Sequence, residues 1–179
     1  MNEDKIIEEY LNAQILCVAN LREVSQIIKN IFEKLISARD SDQTIYIMGN
    51  GGSASTATHF TSDLLKTSII KSKKRFKAHS LSDNIPVVLA WANDDEYNNI
   101  FLGQLENFLK KNDIVIGFSG SGNSENVIKA IEFANNSNAT TISFTGKGGG
   151  KISKISQINL TIPSDDMLTI ETMHLLICH

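Results

Sequence analysis

The segment Thr44-Ile-Tyr-Ile-Met-Gly-Asn-Gly-Gly-Ser53 decides the predicted fold, because an apolar run of strand length leads directly into a glycine-rich loop. The arrangement returns at residues 113–118, which lead into Ser119-Gly-Ser-Gly-Asn-Ser124. A helical pattern follows each loop, at 54–65 and at 123–135. Strand, small polar loop and helix in this order are typical of α/β proteins whose ligands bind beyond the carboxyl ends of parallel strands.

Further apolar runs alternate with helical patterns on both sides of these two segments. Strands are predicted at 44–48, 76–81, 113–118, 140–145 and 157–162. Helices are also predicted at 86–91, 96–110 and 149–155, with a last one from about Met167. Because parallel strands need crossover connections, we expect a three-layer αβα sandwich around a doubly wound, five-stranded parallel sheet. With the strand order 2-1-3-4-5, both loops would line one crevice.

The first segment carries apolar residues at helical spacing from Lys5 to about Ala38, which predicts one long N-terminal helix. These residues are too many for a single narrow stripe, so we expect the helix to bury a second surface against a partner subunit. We interpret 1–179 as one domain, with an oligomerisation region at 1–40 and the core and C-terminal helix at 41–179.

Composition excludes several classes of protein. The 179 residues include 17 Lys and Arg against 20 Asp and Glu, a net charge of −3, which argues against a broad basic surface for nucleic acid. No apolar run approaches the roughly 18 residues of a membrane span. The N-terminus lacks the pattern of a signal peptide. The only two cysteines, Cys17 and Cys178, lie far apart, which favours a reducing cytoplasm over a disulfide scaffold.

Each loop also has a plainer interpretation as a tight strand-to-helix turn. The first loop fits a loose dinucleotide-binding pattern at Gly49, Gly51 and Ala54, but the acidic residue that would bind ribose is missing about twenty residues on. Asp83 is the nearest late candidate. No Lys follows the glycines, which excludes a Walker A loop, and we expect no nucleotide cofactor.

Two groups of potential ligands share helix faces. His59 and Asp63 are four residues apart on the helix after the first loop, and their side chains therefore lie on one face. On the last helix, Glu171 and His174 are three residues apart, and His179 lies two turns beyond Glu171. Spacing alone fits either a metal site or a surface hydrogen bond. We interpret His174 as a packing residue, or as a residue that supports the ligands, rather than as a ligand.

Five ordered motifs resemble the sugar isomerase (SIS) family, and most closely its phosphoheptose isomerases. The resemblance covers nearly the whole chain. The motifs are Gly49-Asn-Gly-Gly-Ser53 with His59-Phe60, Ala92-Asn-Asp94, Ser119-x-Ser-Gly-Asn-Ser124, Thr145-Gly-Lys147 and Gly149-Gly150. The resemblance implies interconversion of sedoheptulose 7-phosphate and D-glycero-D-manno-heptose 7-phosphate through an enediol, for heptose and lipopolysaccharide precursor synthesis.

The resemblance also implies the site residues. Asp63 would be the base and His179 the acid. The phosphate seat would comprise Ser119, Ser121 and Ser124, and Gly120 between them would be a further substrate-binding residue. The other substrate-binding residues would be Asn50, Gly51, Gly52, Ser53, Asn93, Asp94 and Glu171. One zinc ion would be held by His59, Asp63, Glu171 and His179.

Three residues depart from the family pattern. Asp63 stands where Glu is usual, and the shorter side chain would fall short of the reacting carbon by about 1 Å. Glu171 replaces Gln, and its added charge would hold a divalent cation more tightly, or repel the substrate without one. Thr169 replaces an Arg, so one cation near the substrate is missing.

Assembly and alternative functions follow from the same resemblance. It implies a homotetramer with sites at subunit interfaces, and no membrane partner. A second match is a non-catalytic scaffold that associates with the DnaA initiator, but this scaffold lacks the acid at Asp63 and the histidine at His179. A phosphosugar-sensing module is a third possibility. Because His179 lies in a terminal turn, where helices fray, we expect a longer native chain, a metal or a neighbouring subunit to hold it.

Overall fold

Five strands alternate with helices in the computed structural model, which describes residues 2–179. The strands are β1 Thr44–Gly49, β2 Lys77–Ser80, β3 Ile114–Ser119, β4 Thr140–Thr145 and β5 Ile158–Thr161. The helices are α1 Glu3–Asn20, α2 Ser25–Asp40, α3 Gly52–Ser62, α4 Ile85–Asp94, α5 Leu102–Phe108, α6 Glu125–Asn136, α7 Ile152–Ile155 and α8 Met167–Cys178. Among these residues, no helix is long and apolar enough to cross a membrane.

All five strands are parallel, and their order is β2-β1-β3-β4-β5, as the sequence predicts. β1 pairs with β3 in the register Ile47 to Ile116, so the two strands that lead into the polar loops are neighbours. The direction of winding reverses between them. The carboxyl ends of β1 and β3 therefore form the crevice where such sheets bind ligands.

Two apolar layers cover the two faces of the sheet. Successive strand residues point to opposite faces, so Ile45 and Ile47 join one layer while Tyr46 and Met48 join the other. The first layer takes residues from α1, α2, α3 and α8, and the second takes residues from α5, α6 and α7. The αβα sandwich predicted from the sequence is confirmed.

The N-terminal segment is not the single helix that the spacing predicts. A 3-10 turn at Leu21–Val24 separates α1 from α2. Because a 3-10 turn keeps neighbours at i and i+3, the apolar pattern runs through it without a visible break. The turn lets α2 pack along the sheet while α1 contacts α8.

The predicted helix at 96–110 is also wrong in its first half. The structure has a 3-10 turn at Tyr97–Asn99 and then the shorter α5. Ile100 and Phe101, at the bend between them, are only 2% and 1% exposed. The bend places both consecutive side chains in the core, which an uninterrupted surface helix would not do.

Candidate active site

The loops after β1 and β3 meet at the predicted crevice. Asn50 Nδ2 donates to Asn126 Oδ1 at 2.9 Å, and this bond joins the first loop to the helix that follows the second. Gly51 has a φ of 54°, a left-handed conformation that favours glycine, and it precedes the first residue of α3. Ser53 is buried within the first turn of α3. The sequence prediction that both loops line one crevice is confirmed.

Gly52 lies directly against the carboxylate of Glu171. A β-carbon on Gly52 would overlap the oxygens of this carboxylate, so a glycine is needed here for close approach. Gly52 and Glu171 belong to α3 and α8; α3 also carries His59, and the two helices end directly before Asp63 and His179. Glu171 therefore connects the N-terminal half of α8 to the first loop.

The loop after β3 presents hydroxyl groups at the start of α6. Ser119 Oγ donates to Ser124 Oγ at 3.1 Å, and Ser121 Oγ accepts from the backbone N–H of Asn123 at 3.2 Å. Ser124 occupies the N-cap position of α6. Serine hydroxyls and a helix N-terminus together form a favourable environment for an anion such as phosphate.

A third glycine loop, at 146–150, supports this serine loop from behind. The backbone N–H of Gly146 donates to Gly120 O at 3.0 Å, and that of Ile152 donates to Gly122 O at 3.0 Å. Gly120 has no room for a side chain because the sulfur of Met167 lies against it. The serine loop is thus held by main-chain bonds in addition to the hydrogen bonds of its own hydroxyl groups.

Three of the four predicted metal ligands come together. The ligand atoms of His59, Asp63 and His179 all lie within 4.8 Å of one another. Asp63 Oδ2 is 3.3 Å from His59 Nε2 and 3.6 Å from His179 Nε2, and the two nitrogens are 3.1 Å apart. Glu171 lies outside this group, with its carboxylate at Gly52, and its role as a ligand stays a prediction.

The donor set of this group fits a divalent metal ion. Asp63 Oδ1 accepts from Thr67 Oγ1 at 3.0 Å, whereas Asp63 Oδ2 is buried without a hydrogen-bond partner among residues 2–179. The two imidazole nitrogens face each other at a distance that one proton at most can bridge. Two nitrogen lone pairs from half-exposed histidines and one oxygen from a largely buried carboxylate converge here, and zinc accepts such ligands.

Asn93 and Asp94 make no side-chain hydrogen bond to either loop among residues 2–179. They lie on the last turn of α4, both are exposed, and Asn93 Nδ2 donates to Asp94 Oδ1 at 2.7 Å. No other side-chain hydrogen bond of these two residues exists within the described part of the chain. Their predicted contact with substrate stays a prediction.

The structure adds two residues that the sequence analysis did not identify. Asn126 and Tyr97 both hydrogen-bond to the side chain of Asn50. Asn126 lies two residues after Ser124, on the first turn of α6. Its position next to the serine motif could have marked it as a candidate site residue. Nothing in the local sequence marks Tyr97, because its contact with Asn50 spans 47 residues.

Two further titratable groups lie near the site without belonging to the ligand group. His174 is fully buried beside Phe118 and Phe144, with Nε2 3.2 Å from Thr145 O, and burial lowers its pKa to about 4. This agrees with its interpretation as a packing residue. Burial raises the pKa of the Cys178 thiol, and the charge of Asp63 raises it further.

Comparisons with known proteins agree with this geometry. The family profile of the SIS domain matches residues 9–146. A phosphoheptose isomerase of Helicobacter pylori strain P12 is 37% identical over 179 residues, which is 100% of this chain and 93% of that protein. The structure of a phosphoheptose isomerase from Francisella tularensis has a TM-score of 0.94 at 27% identity, covering 100% of this chain and 95% of that one.

A second solved structure, phosphoheptose isomerase from Neisseria gonorrhoeae, has a TM-score of 0.92 at 25% identity over 98% of this chain and 94% of its own. The profile match covers well over half of the described residues, and the similarity to H. pylori phosphoheptose isomerase covers all of them. The chain therefore belongs to the SIS domain family, in the group that contains the phosphoheptose isomerases.

Proposed function

We propose that this protein is a phosphoheptose isomerase, which interconverts sedoheptulose 7-phosphate and D-glycero-D-manno-heptose 7-phosphate. The observation that carries the proposal is the meeting of Asp63 and His179, with Oδ2 and Nε2 3.6 Å apart, in a chain that also has the serine loop. A carboxylate and an imidazole at this distance are suited to transfer two protons in one reaction. The relatives of the same name support the choice of substrate.

The phosphate of the substrate would bind at Ser119, Ser121 and Ser124. These hydroxyls lie at the N-terminus of α6, where backbone N–H groups and the helix dipole favour negative charge. Gly120 lets the loop pass close to α8. A phosphate seated here would place the sugar chain along the crevice between the two loops.

The sugar hydroxyls would meet the first loop and the end of α4. The groups that would serve are Asn50, Gly51, Gly52, Ser53, Asn93, Asp94 and Glu171. From Glu171 to His179, α8 advances by about 12 Å. An open-chain seven-carbon sugar phosphate can span such a distance, so one molecule could reach both the loops and the acid–base pair.

Isomerisation moves one proton between adjacent carbons and one between their oxygens. In our proposal, the Asp63 carboxylate takes the proton from the carbon next to the carbonyl, and His179 donates a proton to the carbonyl oxygen. The product of this step is an enediol. Asp63 then returns its proton to the neighbouring carbon while His179 accepts one from the other oxygen, which restores both residues.

We infer that zinc binds at this site and would be held by His59, Asp63, Glu171 and His179, with His179 binding it through one ring nitrogen and keeping its transferable proton on the other. When bound, such an ion polarises a substrate oxygen and stabilises the charge that develops on it. The buried, unpartnered Asp63 Oδ2 supports this inference. Glu171 would add a second carboxylate after its side chain rotates away from Gly52.

We propose that residues 1–40 form the oligomerisation region of a homotetramer and 41–179 the catalytic core. Helix α1 supports this proposal, because its large apolar residues face solvent in the single chain. They are Ile6, Ile7, Tyr10, Leu11, Ile15, Leu16 and Val18. An apolar groove of about 750 Å³ between α2 and the end of α8, bordered by His179, would let a second subunit approach the active site.

We propose that the enzyme acts in the cytoplasm. There it would take part in the synthesis of heptose precursors for lipopolysaccharide or a related surface glycan. Its two cysteines are both free, which suits a reducing compartment. A phosphorylated sugar is the form in which such precursors are handled inside cells, and the serine loop is suited to one.

The decisive experiment is an isomerase assay with sedoheptulose 7-phosphate and added zinc. We expect the aldose product from the wild-type protein, and at least a hundredfold lower rate from His179→Ala. A wild-type protein that forms no more aldose than His179→Ala would overturn the proposal. Retention of DnaA by such an inactive protein would favour the scaffold function instead.

A further inference from the structure

The side chain of Asn50 is held by two residues from distant parts of the chain. Asn50 and Asn126 exchange a reciprocal pair of amide hydrogen bonds, each at 2.9 Å. The hydroxyl of Tyr97 hydrogen-bonds to Asn50 Oδ1, also at 2.9 Å. The first loop, helix α6 and the 3-10 turn before α5 therefore meet at one carboxamide.

The backbone N–H of Val127 sets the direction of every hydrogen bond in this group. It donates to the side chain of Asn126 at 2.9 Å, and since an N–H cannot accept, the atom it faces must be the oxygen. Asn126 consequently offers its oxygen to Asn50 Nδ2 and its nitrogen to Asn50 Oδ1. Tyr97, which faces the same Asn50 oxygen, must act as the donor.

This polarity limits what Asn50 can offer to a ligand. Its oxygen accepts two hydrogen bonds, which uses both lone pairs, while its nitrogen has used one of two N–H groups. We propose that Asn126 and Tyr97 are positioning residues, which hold Asn50 so that its remaining N–H donates to an oxygen of the bound phosphosugar. This inference rests on the proposed function.

The burial of the two residues suits this role. Asn126 is 2% exposed, so its orientation is set by the core, whereas Tyr97 is 53% exposed and contributes a hydroxyl from the rim. An unrestrained asparagine can present either its oxygen or its nitrogen. The restraint removes the acceptor and leaves a donor, which is complementary to a carbonyl or hydroxyl oxygen of a sugar.

The variant Tyr97→Phe tests the inference with little risk to folding, because it removes one hydroxyl from an exposed side chain. We expect kcat/KM to fall about 5- to 10-fold, the effect of one hydrogen bond. The matched control is Tyr46→Phe, which also loses one hydroxyl bond, to Phe108 O at 3.1 Å, away from the site. We expect this control to keep wild-type kcat and KM.

A double-mutant cycle separates positioning from a general structural role. If Tyr97 acts through Asn50, Tyr97→Phe has no further effect on kcat/KM in an Asn50→Ala background. A decrease in that background as large as the one in wild-type protein would overturn the inference. So would a Tyr97→Phe variant with wild-type kcat/KM.

A side-chain NMR measurement keeps this inference distinct from the proposed function. If the wild-type protein is inactive on sedoheptulose 7-phosphate, the proposed function fails, but the carboxamide signals of Asn50 can still be assigned by their loss in Asn50→Ala. We expect Tyr97→Phe to shift these signals and to speed their hydrogen exchange, and Tyr46→Phe to leave them unchanged. Identical Asn50 signals in wild-type and Tyr97→Phe protein would overturn the positioning role.

Discussion

The Nε2 atoms of His59 and His179 lie 3.1 Å apart, although 120 positions separate the two residues in the chain. His59 stands on α3 after the first loop, and His179 follows the last residue of α8. Asp63 Oδ2 lies within 3.6 Å of both nitrogens and is otherwise unpartnered among residues 2–179. Three lone-pair donors in this arrangement repel one another unless a proton or a cation lies between them.

Metal binding should therefore stabilise the fold through both histidines. At a zinc concentration 100-fold above its Kd, we expect about 2.7 kcal/mol of stabilisation, which raises the Tm by about 5–10 °C in a domain of this size. Thermal unfolding with zinc, and again after addition of a chelator, measures the effect. Zinc should no longer raise the Tm of His59→Ala or His179→Ala. It should still raise the Tm of the control His79→Ala, which replaces an exposed histidine on β2. If zinc raised the Tm of His59→Ala as much as that of the wild type, His59 would not be a zinc ligand.

The carboxylate of Asp63 is expected to be needed as the base. Asp63→Asn should lower kcat by at least about 100-fold, because the amide cannot take a proton from carbon. Asp63→Glu, which restores the longer acid of the family pattern, should keep kcat within about tenfold of wild type. Steady-state kinetics at saturating zinc distinguish the two variants. Equal activity of Asp63→Asn and wild type would exclude Asp63 as the base.

Gly52 and Glu171 are expected to be coupled. In Gly52→Ala the new methyl group displaces the Glu171 carboxylate, and the loss of stability should be small because that carboxylate ends a flexible side chain. We expect kcat/KM to fall to the level of Glu171→Ala while the Tm changes by less than about 4 °C. The double variant should be no worse than Glu171→Ala alone. Additive losses in the double variant would show that Gly52 acts independently of Glu171.

The buried His174 should make the protein acid-sensitive. Its pKa falls from an ordinary 6.5 to about 4 in the folded chain, so the unfolded chain binds the proton first as the pH drops. The free energy of unfolding therefore falls by about 3 kcal/mol in total as the pH drops from 6.5 to 4. Urea unfolding measures the free energy of unfolding at each pH in this range. We expect this free energy to fall less with decreasing pH in His174→Leu than in the wild type, and to fall as in the wild type in the control His79→Leu, which replaces an exposed histidine. If the free energy of unfolding of His174→Leu falls with pH as steeply as that of the wild type, His174 is not the cause of the acid sensitivity.

The exposed apolar face of α1 should hold the subunits together. Ile15 is 66% exposed in the single chain. If a helix of a second subunit covers it, a charged side chain at this position should destabilise the subunit interface. We expect light scattering to give a tetramer for the wild type and smaller species for Ile15→Glu. Asn12→Glu places the same charge at an exposed polar position of α1 and should leave the tetramer intact. A wild-type monomer at micromolar concentration would contradict the proposed assembly.

The order of strands and the two loops were predictable because both depend on local patterns. Four of the five apolar runs lead directly into a glycine or a serine, and the crossover rule then restricts the sheet to a few arrangements. The breaks near Leu21 and Ile100 were not predictable, because 3-10 turns keep the helical spacing of apolar residues.

Local sequence was enough for the αβα fold, the two ligand loops at neighbouring strand ends, and the pairing of His59 with Asp63 one turn apart. These features depend on periodicity and on residue type, which short segments carry by themselves. The approach of His179 to that pair, the contact of Glu171 with Gly52 and the restraint of Asn50 by Tyr97 depend on how α3, α6 and α8 pack on the sheet. Such contacts join residues 47 to 120 positions apart, and they form because the helices bury their apolar faces on a common sheet.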